Sequence, residues 1–194
     1  MDFGQQSLDR RDRSVLLGGE ARPLGQFTPD HKAKPVLLGL GDVAIYVPSK
    51  KRVFFHAFGC GRNNTYFYDP ATNRWTEVRT AWTMAFKQIE GAPPPPTGGD
   101  VLACYDPKRD RIYMARGKRL WYFDVKTSAW VEPEPVGEFN ARSTYDATMN
   151  YDAANDRVVV ICLGKADEPA GRKVFSYDPQ TNTAAATANP TPKD

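Results

Sequence analysis

One phrase returns six times along this chain, and each return forces the backbone to reverse. "YDPATNRW" begins at Tyr68, "YDPKRDRI" at Tyr105, "FDVKTSAW" at Phe123, "YDAANDRV" at Tyr151 and "YDPQTNTA" at Tyr177. A sixth copy, "YVPSKKRV" at Tyr46, has Val47 in place of the Asp. The Asp side chain accepts hydrogen bonds from backbone N–H groups just ahead of it. Proline presets φ for the first turn position, and a later Asn or Asp tolerates the left-handed conformation. Aromatic and β-branched residues on both sides favour strand. Each copy therefore predicts a β-hairpin turn.

The copies form two interleaved series. One has its Asp position at Val47, Asp106 and Asp152, and each turn is followed by an Arg-apolar run from Arg52, Arg111 or Arg157. The other has Asp69, Asp124 and Asp178, with Thr72, Thr127 and Thr181 three residues on. Trp75 and Trp130 stand six residues after the first two of these Asp residues, and Ala184 at the third. Two hairpins per unit give four strands. The expected strands are 42–47, 52–58, 65–68 and 74–78; then 100–105, 111–116, 119–123 and 129–132; then 146–151, 157–163, 173–177 and 182–186. Four antiparallel strands repeating at about 50 residues are the pattern of a β-propeller blade. A β-sandwich with repeated turn chemistry is the alternative, but it has no need to alternate two turn series.

On these residues the units resemble kelch repeats, as in the central domain of galactose oxidase-type proteins. The Tyr-Asp and later Trp of "YDPATNRW" and "FDVKTSAW" carry the resemblance, with Gly59, Gly61, Gly117 and Gly164 near the ends of second strands. It spans about residues 41–186 as three blades, 41–78, 99–132 and 144–186. A strict Gly-Gly pair is absent from all three units, and the third lacks its Trp. The fold expected is thus an all-β propeller fragment of three four-stranded antiparallel blades. In residues 1–40, "LDRRDRSVLLGG" echoes the phrase and reads as a decayed partial blade, and 187–194 reads as a flexible tail. Propellers close with about four to eight blades. Three units therefore call for missing blades, or another copy of the chain, to complete a ring.

Composition narrows the function classes. Of 194 residues, 41% are hydrophobic, enough for a packed core. A net charge of +3, with its basic residues spread along the chain, gives no reason to expect nucleic acid. No apolar run approaches the roughly 18 residues of a membrane span, and the N-terminus lacks the order of a signal peptide. The three cysteines, Cys60, Cys104 and Cys162, form no CxxC pair. An oxidase-like copper site would need histidine ligands. His31 and His56 are the only histidines and are far apart, so no cofactor is expected, and His56 reads as a side chain packed between blades. No Ser sits in a nucleophile elbow. The turn aspartates are explained by backbone capping, one per turn, without converging into a catalytic pair. Asn63-Asn64-Thr65 fits the N-glycosylation acceptor pattern.

The regular turns all fall at one end of the blades, leaving irregular connections at the other: 59–64, 79–99, 117–118, 133–144 and 164–172. Irregular loops on a rigid scaffold are where binding sits. The candidate ligand-binding residues are Arg62, Asn63, Asn64, Trp82, Phe86, Arg142 and Arg172. Trp82 and Phe86 precede a four-proline run, and packing their loop on a blade is the more ordinary explanation of both. The expected function is a non-catalytic interaction module presenting these loops to a protein or a glycan. The alternative is part of a kelch-type sugar-active enzyme whose catalytic residues lie in other blades.

Overall fold

The computed structural model describes residues 14–17, 20–23, 43–57, 64–78, 101–141, 147–162 and 173–188. These residues are all-β, with no helix among them. A two-stranded hairpin comes first, β1 (Ser14–Leu17) with β2 (Glu20–Pro23). The first sheet follows in chain order: β3 (Val43–Val47), β4 (Arg52–Ala57), β5 (Asn64–Asp69) and β6 (Arg74–Glu77). The second consists of β7 (Leu102–Asp106), β8 (Arg111–Arg116), β9 (Arg119–Asp124) and β10 (Ala129–Val131). Each pairs its neighbours antiparallel, as a propeller-like fold requires.

The third sheet departs from the expected four antiparallel strands. It contains β11 (Val136–Gly137), β12 (Ala147–Asp152), β13 (Arg157–Cys162), β14 (Lys173–Asp178) and β15 (Thr183–Ala188). β12 to β15 are antiparallel, but β11 lies parallel along the outer edge of β15, making a mixed sheet of five. The strand comes from the 133–144 connector, where the sequence shows no alternation. Its pairing depends on contacts with residues nearly fifty positions away, so no local pattern announces it. β15 also runs through Ala188, two residues into the segment expected as tail.

The turns explain why the phrase repeats. Asp69 Oδ1 accepts the N–H groups of Ala71 and Thr72, and Asp106, Asp124, Asp152 and Asp178 do the same for the residues two and three ahead. The residue four after each Asp position has positive φ: Lys51, Asn73, Asp110, Ser128, Asp156 and Asn182, all between 52° and 56°. Where the phrase starts with Tyr followed by Asp, the hydroxyl reaches this left-handed residue. Tyr68 donates to Asn73, Tyr105 to Asp110, Tyr151 to Asp156 and Tyr177 to Asn182. Phe123 has no hydroxyl, and its left-handed residue is Ser128. The aromatic thus clamps the turn as well as packing.

Alternation along the strands gives the first and second sheets two apolar faces and the third sheet one. Phe54 and Phe67 of the first sheet meet Ile112, Met114, Trp121, Phe123 and Trp130 of the second. The opposite face of the second, with Cys104, Tyr113, Ala115 and Leu120, meets Met149, Val158, Val160, Phe175 and Tyr177 of the third. Trp130 is 5% exposed and packs edge-on to Phe54, His56 and Phe123. Ala184 stands where the third sheet lacks its Trp, and Phe139 from the connector joins that core. The outward face of the third sheet is more polar, with Thr148, Asn150, Ser176 and Thr187 among half-buried Val159, Ile161 and Val174. The first strands lie side by side, β7 between β3 and β12.

Candidate functional site

The two ends of the sheets differ in chemistry. At the regular-turn end, an arginine at the start of each second strand faces the aspartate at the end of the third. The pairs are Arg52–Asp69 at 3.6 Å, Arg111–Asp124 at 3.6 Å and Arg157–Asp178 at 3.0 Å. Each pair ties the two turns of one sheet together, so all the regular turns share this end.

A second set of contacts runs from sheet to sheet. Ser49 donates to Asp110 at 2.8 Å, joining the first hairpin turns of the first and second sheets. Arg109 forms a bidentate pair with Asp156 of the third sheet, and Lys108 reaches the same carboxylate. The Arg109 guanidinium also bonds Asp106 of its own turn at 3.0 Å. Two carboxylates, Asp106 and Asp156, therefore converge on one arginine. Asp156 is the left-handed residue of its turn and not one of the five capping aspartates read from the sequence, so this pairing lies outside that reading. The reason is tertiary: neighbouring first strands bring neighbouring turns within reach. The sequence signal was present in "DPKRD" and "DAANDR", where a left-handed Asp follows the capping Asp by four.

The electrostatics make this cluster a fastening. Hydrogen bonds from Arg109, then Lys108 and Tyr151, hold Asp156 far below the ordinary carboxylate range. Asp156 and Asp106 raise Arg109 in turn, its bond to Asp156 contributing most. Desolvation is the largest effect on Asp69 and Asp124 and pulls both upward, yet their turn hydrogen bonds and neighbouring arginines outweigh it and leave both lowered. Burial, then the bonds to Asp110 and Asp156, pushes the phenols of Tyr105 and Tyr151 up to about 12. A carboxylate held so low is no general acid near neutral pH, and a phenol titrating so high is no general base. Among the described residues no group of three His, Cys, Asp or Glu side chains is placed to hold a metal ion.

Of the candidates expected from sequence at the irregular end, one is among the described residues. Asn64 opens β5, its backbone opposite Ala57. Arg62, Asn63, Trp82, Phe86, Arg142 and Arg172 lie outside the described residues. The described part of this end is locally paired. Arg119 makes a bidentate bridge to Glu132 at 2.6 and 2.7 Å and stacks over Trp121, and Lys173 bonds Glu138 at 2.6 Å. Gly117 has φ 59° in the two-residue turn between β8 and β9 and donates its N–H to the Ala141 carbonyl. His56 is fully buried between the first and second sheets. Its Nδ1 lies 2.9 Å from the Thr65 hydroxyl, which also accepts the Trp130 indole N–H at 3.3 Å.

No protein-family model matches the chain, and no curated protein matches it. Among solved structures it is similar to TolB from Acinetobacter baumannii, at 12% identity and a TM-score of 0.43. That similarity covers 74% of this chain and 31% of the TolB chain, so it spans about a third of that structure's length. No ligand or partner follows from the likeness.

Proposed function

We propose that the chain is a non-catalytic binding module, an arc of three kelch-like propeller blades within a larger propeller. It presents its irregular-loop end to a protein or glycan. Further blades, or another copy of the chain, complete the ring. The observation that supports this reading is the commitment of the opposite end. Its aspartates cap turns, its second-strand arginines staple hairpins, and Arg109 fastens sheet to sheet. That leaves recognition to the loops containing Arg62, Asn63, Asn64, Trp82, Phe86, Arg142 and Arg172. Aromatics offer flat apolar area there, and Arg and Asn offer directed hydrogen bonds.

The test runs a glycan and peptide array and a thermal melt on the parent chain and on Trp82→Ala and Phe86→Ala. Ligand-contacting aromatics lose array signal with the melt nearly unchanged. Loss of about 3–5 kcal/mol, the cost of removing a buried aromatic, together with a blank array, refutes the reading.

A further inference from the structure

The first hairpin turns are linked in one direction. Ser49 of the first sheet donates to Asp110 of the second, and Lys108 and Arg109 of the second donate to Asp156 of the third. The donors stand two or three residues after the Asp position of their own turn. The acceptor stands four after it, in the left-handed conformation, and is also held by a tyrosine, Tyr105 or Tyr151. Lys51 holds the acceptor's place in the first sheet, with φ 52°. Lysine is an uncommon residue in that conformation, and it reverses the charge that Asp110 and Asp156 carry. Tyr46, in the place of Tyr105 and Tyr151, is 54% exposed. Among the described residues neither Tyr46 nor Lys51 has a side-chain partner.

The face of the first sheet away from the second shows the same missing neighbour in its packing. Phe55 and Tyr66 hold the register positions of Met114 and Trp121, which pack against the first sheet, and of Val160 and Phe175, which pack against the second. They are 5% and 2% exposed, yet no other described sheet lies over them. The chain carries one more hairpin, β1 with β2. β1 begins at Ser14, five residues after Asp9, as β4, β8 and β13 begin five residues after Val47, Asp106 and Asp152. Two residues join β1 to β2, as two join β8 to β9. By this count Leu16 has the register place of Phe54 and Tyr113, the residues that meet the next sheet. Its backbone pairs with Ala21 as theirs pair with Phe67 and Tyr122. The same count puts Asp12 in the place of Arg109, and Arg11 in the place of Ser49 and Lys108.

We propose that the turn of residues 8–13 docks on the first sheet with the Asp12 carboxylate paired to the Lys51 ammonium, and that β1 and β2 are the second and third strands of a preceding blade. Residues 8–13 themselves lie outside the described residues. The pair repeats the Arg109–Asp156 fastening with its charges exchanged. Arg11 finds no acceptor in Lys51, so the charge match rests on Asp12. Leu16 covers Phe55 and Tyr66. The leading side of the first sheet is thereby taken by the chain's own N-terminal hairpin, and a completing blade or copy adds beyond that hairpin or at the third sheet. The inference rests on the blade-like order of the sheets and not on the loops of the irregular end, so it stands or fails separately from the array.

The packing is tested on the full parent chain, labelled in its leucine methyls and aromatic rings, where nuclear Overhauser contacts are expected between Leu16 and Phe55 or Tyr66. This measurement needs no variant to fold. Hydrogen exchange of the β1 and β2 amides tests the ion pair. Asp12→Lys or Lys51→Asp should speed that exchange about threefold to fivefold, the upper range of an exposed pair, and combining the two should return it to within about twofold of the parent. The proposal is overturned if the Leu16 contacts are absent, if contacts from residues 79–100 take their place, or if they arise only between differently labelled copies, which would make the cover a second chain. It is equally overturned if the single reversals leave exchange unchanged, or if the double variant exchanges as fast as the singles.

Discussion

Replacing Trp130 by alanine tests how the first two sheets are held together. The indole is 5% exposed, lies 5.0 to 6.2 Å from the rings of Phe54, His56 and Phe123, and donates to Thr65 at 3.3 Å. Removing a buried Trp side chain costs about 3–5 kcal/mol through lost transfer energy and the cavity left behind. The indole hydrogen bond contributes about 1 kcal/mol of this. A loss of about 4 kcal/mol is therefore expected from a stability on the order of 5–15 kcal/mol. The melting temperature should fall by roughly 8–16 °C for a chain of this size. Trp130→Phe retains most ring contacts and loses the hydrogen bond, so about 1–2 kcal/mol is expected. Trp75 holds the equivalent position but is only half-buried, against Phe55, Tyr66 and Tyr68. Its alanine variant should cost about half as much, in proportion to the area buried. Urea titrations monitored by circular dichroism measure all three. If Trp130→Ala costs under about 1 kcal/mol, or no more than Trp75→Ala, the packing of the second sheet on the first through Trp130 is refuted.

The remaining predictions concern the third sheet and the tyrosine clamps. Gly137→Ala places a methyl against the Ala184 carbonyl at a φ of 111°, so β11 should detach. The Val136 amide would then exchange at the rate of an open segment while β12 to β15 stay protected; unchanged protection at Val136 would count against the pairing of β11 with β15. Alkaline titration should show the second effect. Tyr177 is pushed up to about 12, chiefly by burial, as are Tyr105 and Tyr151 by burial and then by their aspartate partners. The folded chain keeps these protons while the unfolded chain releases them near pH 10. This stabilisation is full below pH 10 and is lost as pH rises from 10 toward 12. Ultraviolet absorbance of tyrosinate should therefore appear for these phenols late and together with unfolding; early ionisation without unfolding would contradict the clamp geometry.

Hairpin turns were legible because their physics is contained in six residues. An aspartate capping two N–H groups, a left-handed Asn or Asp four places on, and strand-formers on either side need nothing from elsewhere in the chain. For that reason all twelve expected strands occur, with ends displaced by two residues at most. The shared end of the regular turns followed from the same local rule, since consecutive antiparallel strands return alternate turns to one side. Contacts between residues far apart in sequence were not legible. Trp75 and Trp130 follow their aspartates at the same distance, yet only Trp130 has a neighbouring sheet packed over it among the described residues. Arg109 looks like any solvated turn cation until β7 and β12 come to lie side by side and place Asp156 before it. The connector holding β11 reads as loop because two residues carry no periodicity, and only the folded Asn182 supplies the partners that make them a strand. Local hydrogen bonding chose the turns and strands, and the approach of one sheet to the next decided which charges are paired, which tryptophan is buried and which edge is covered.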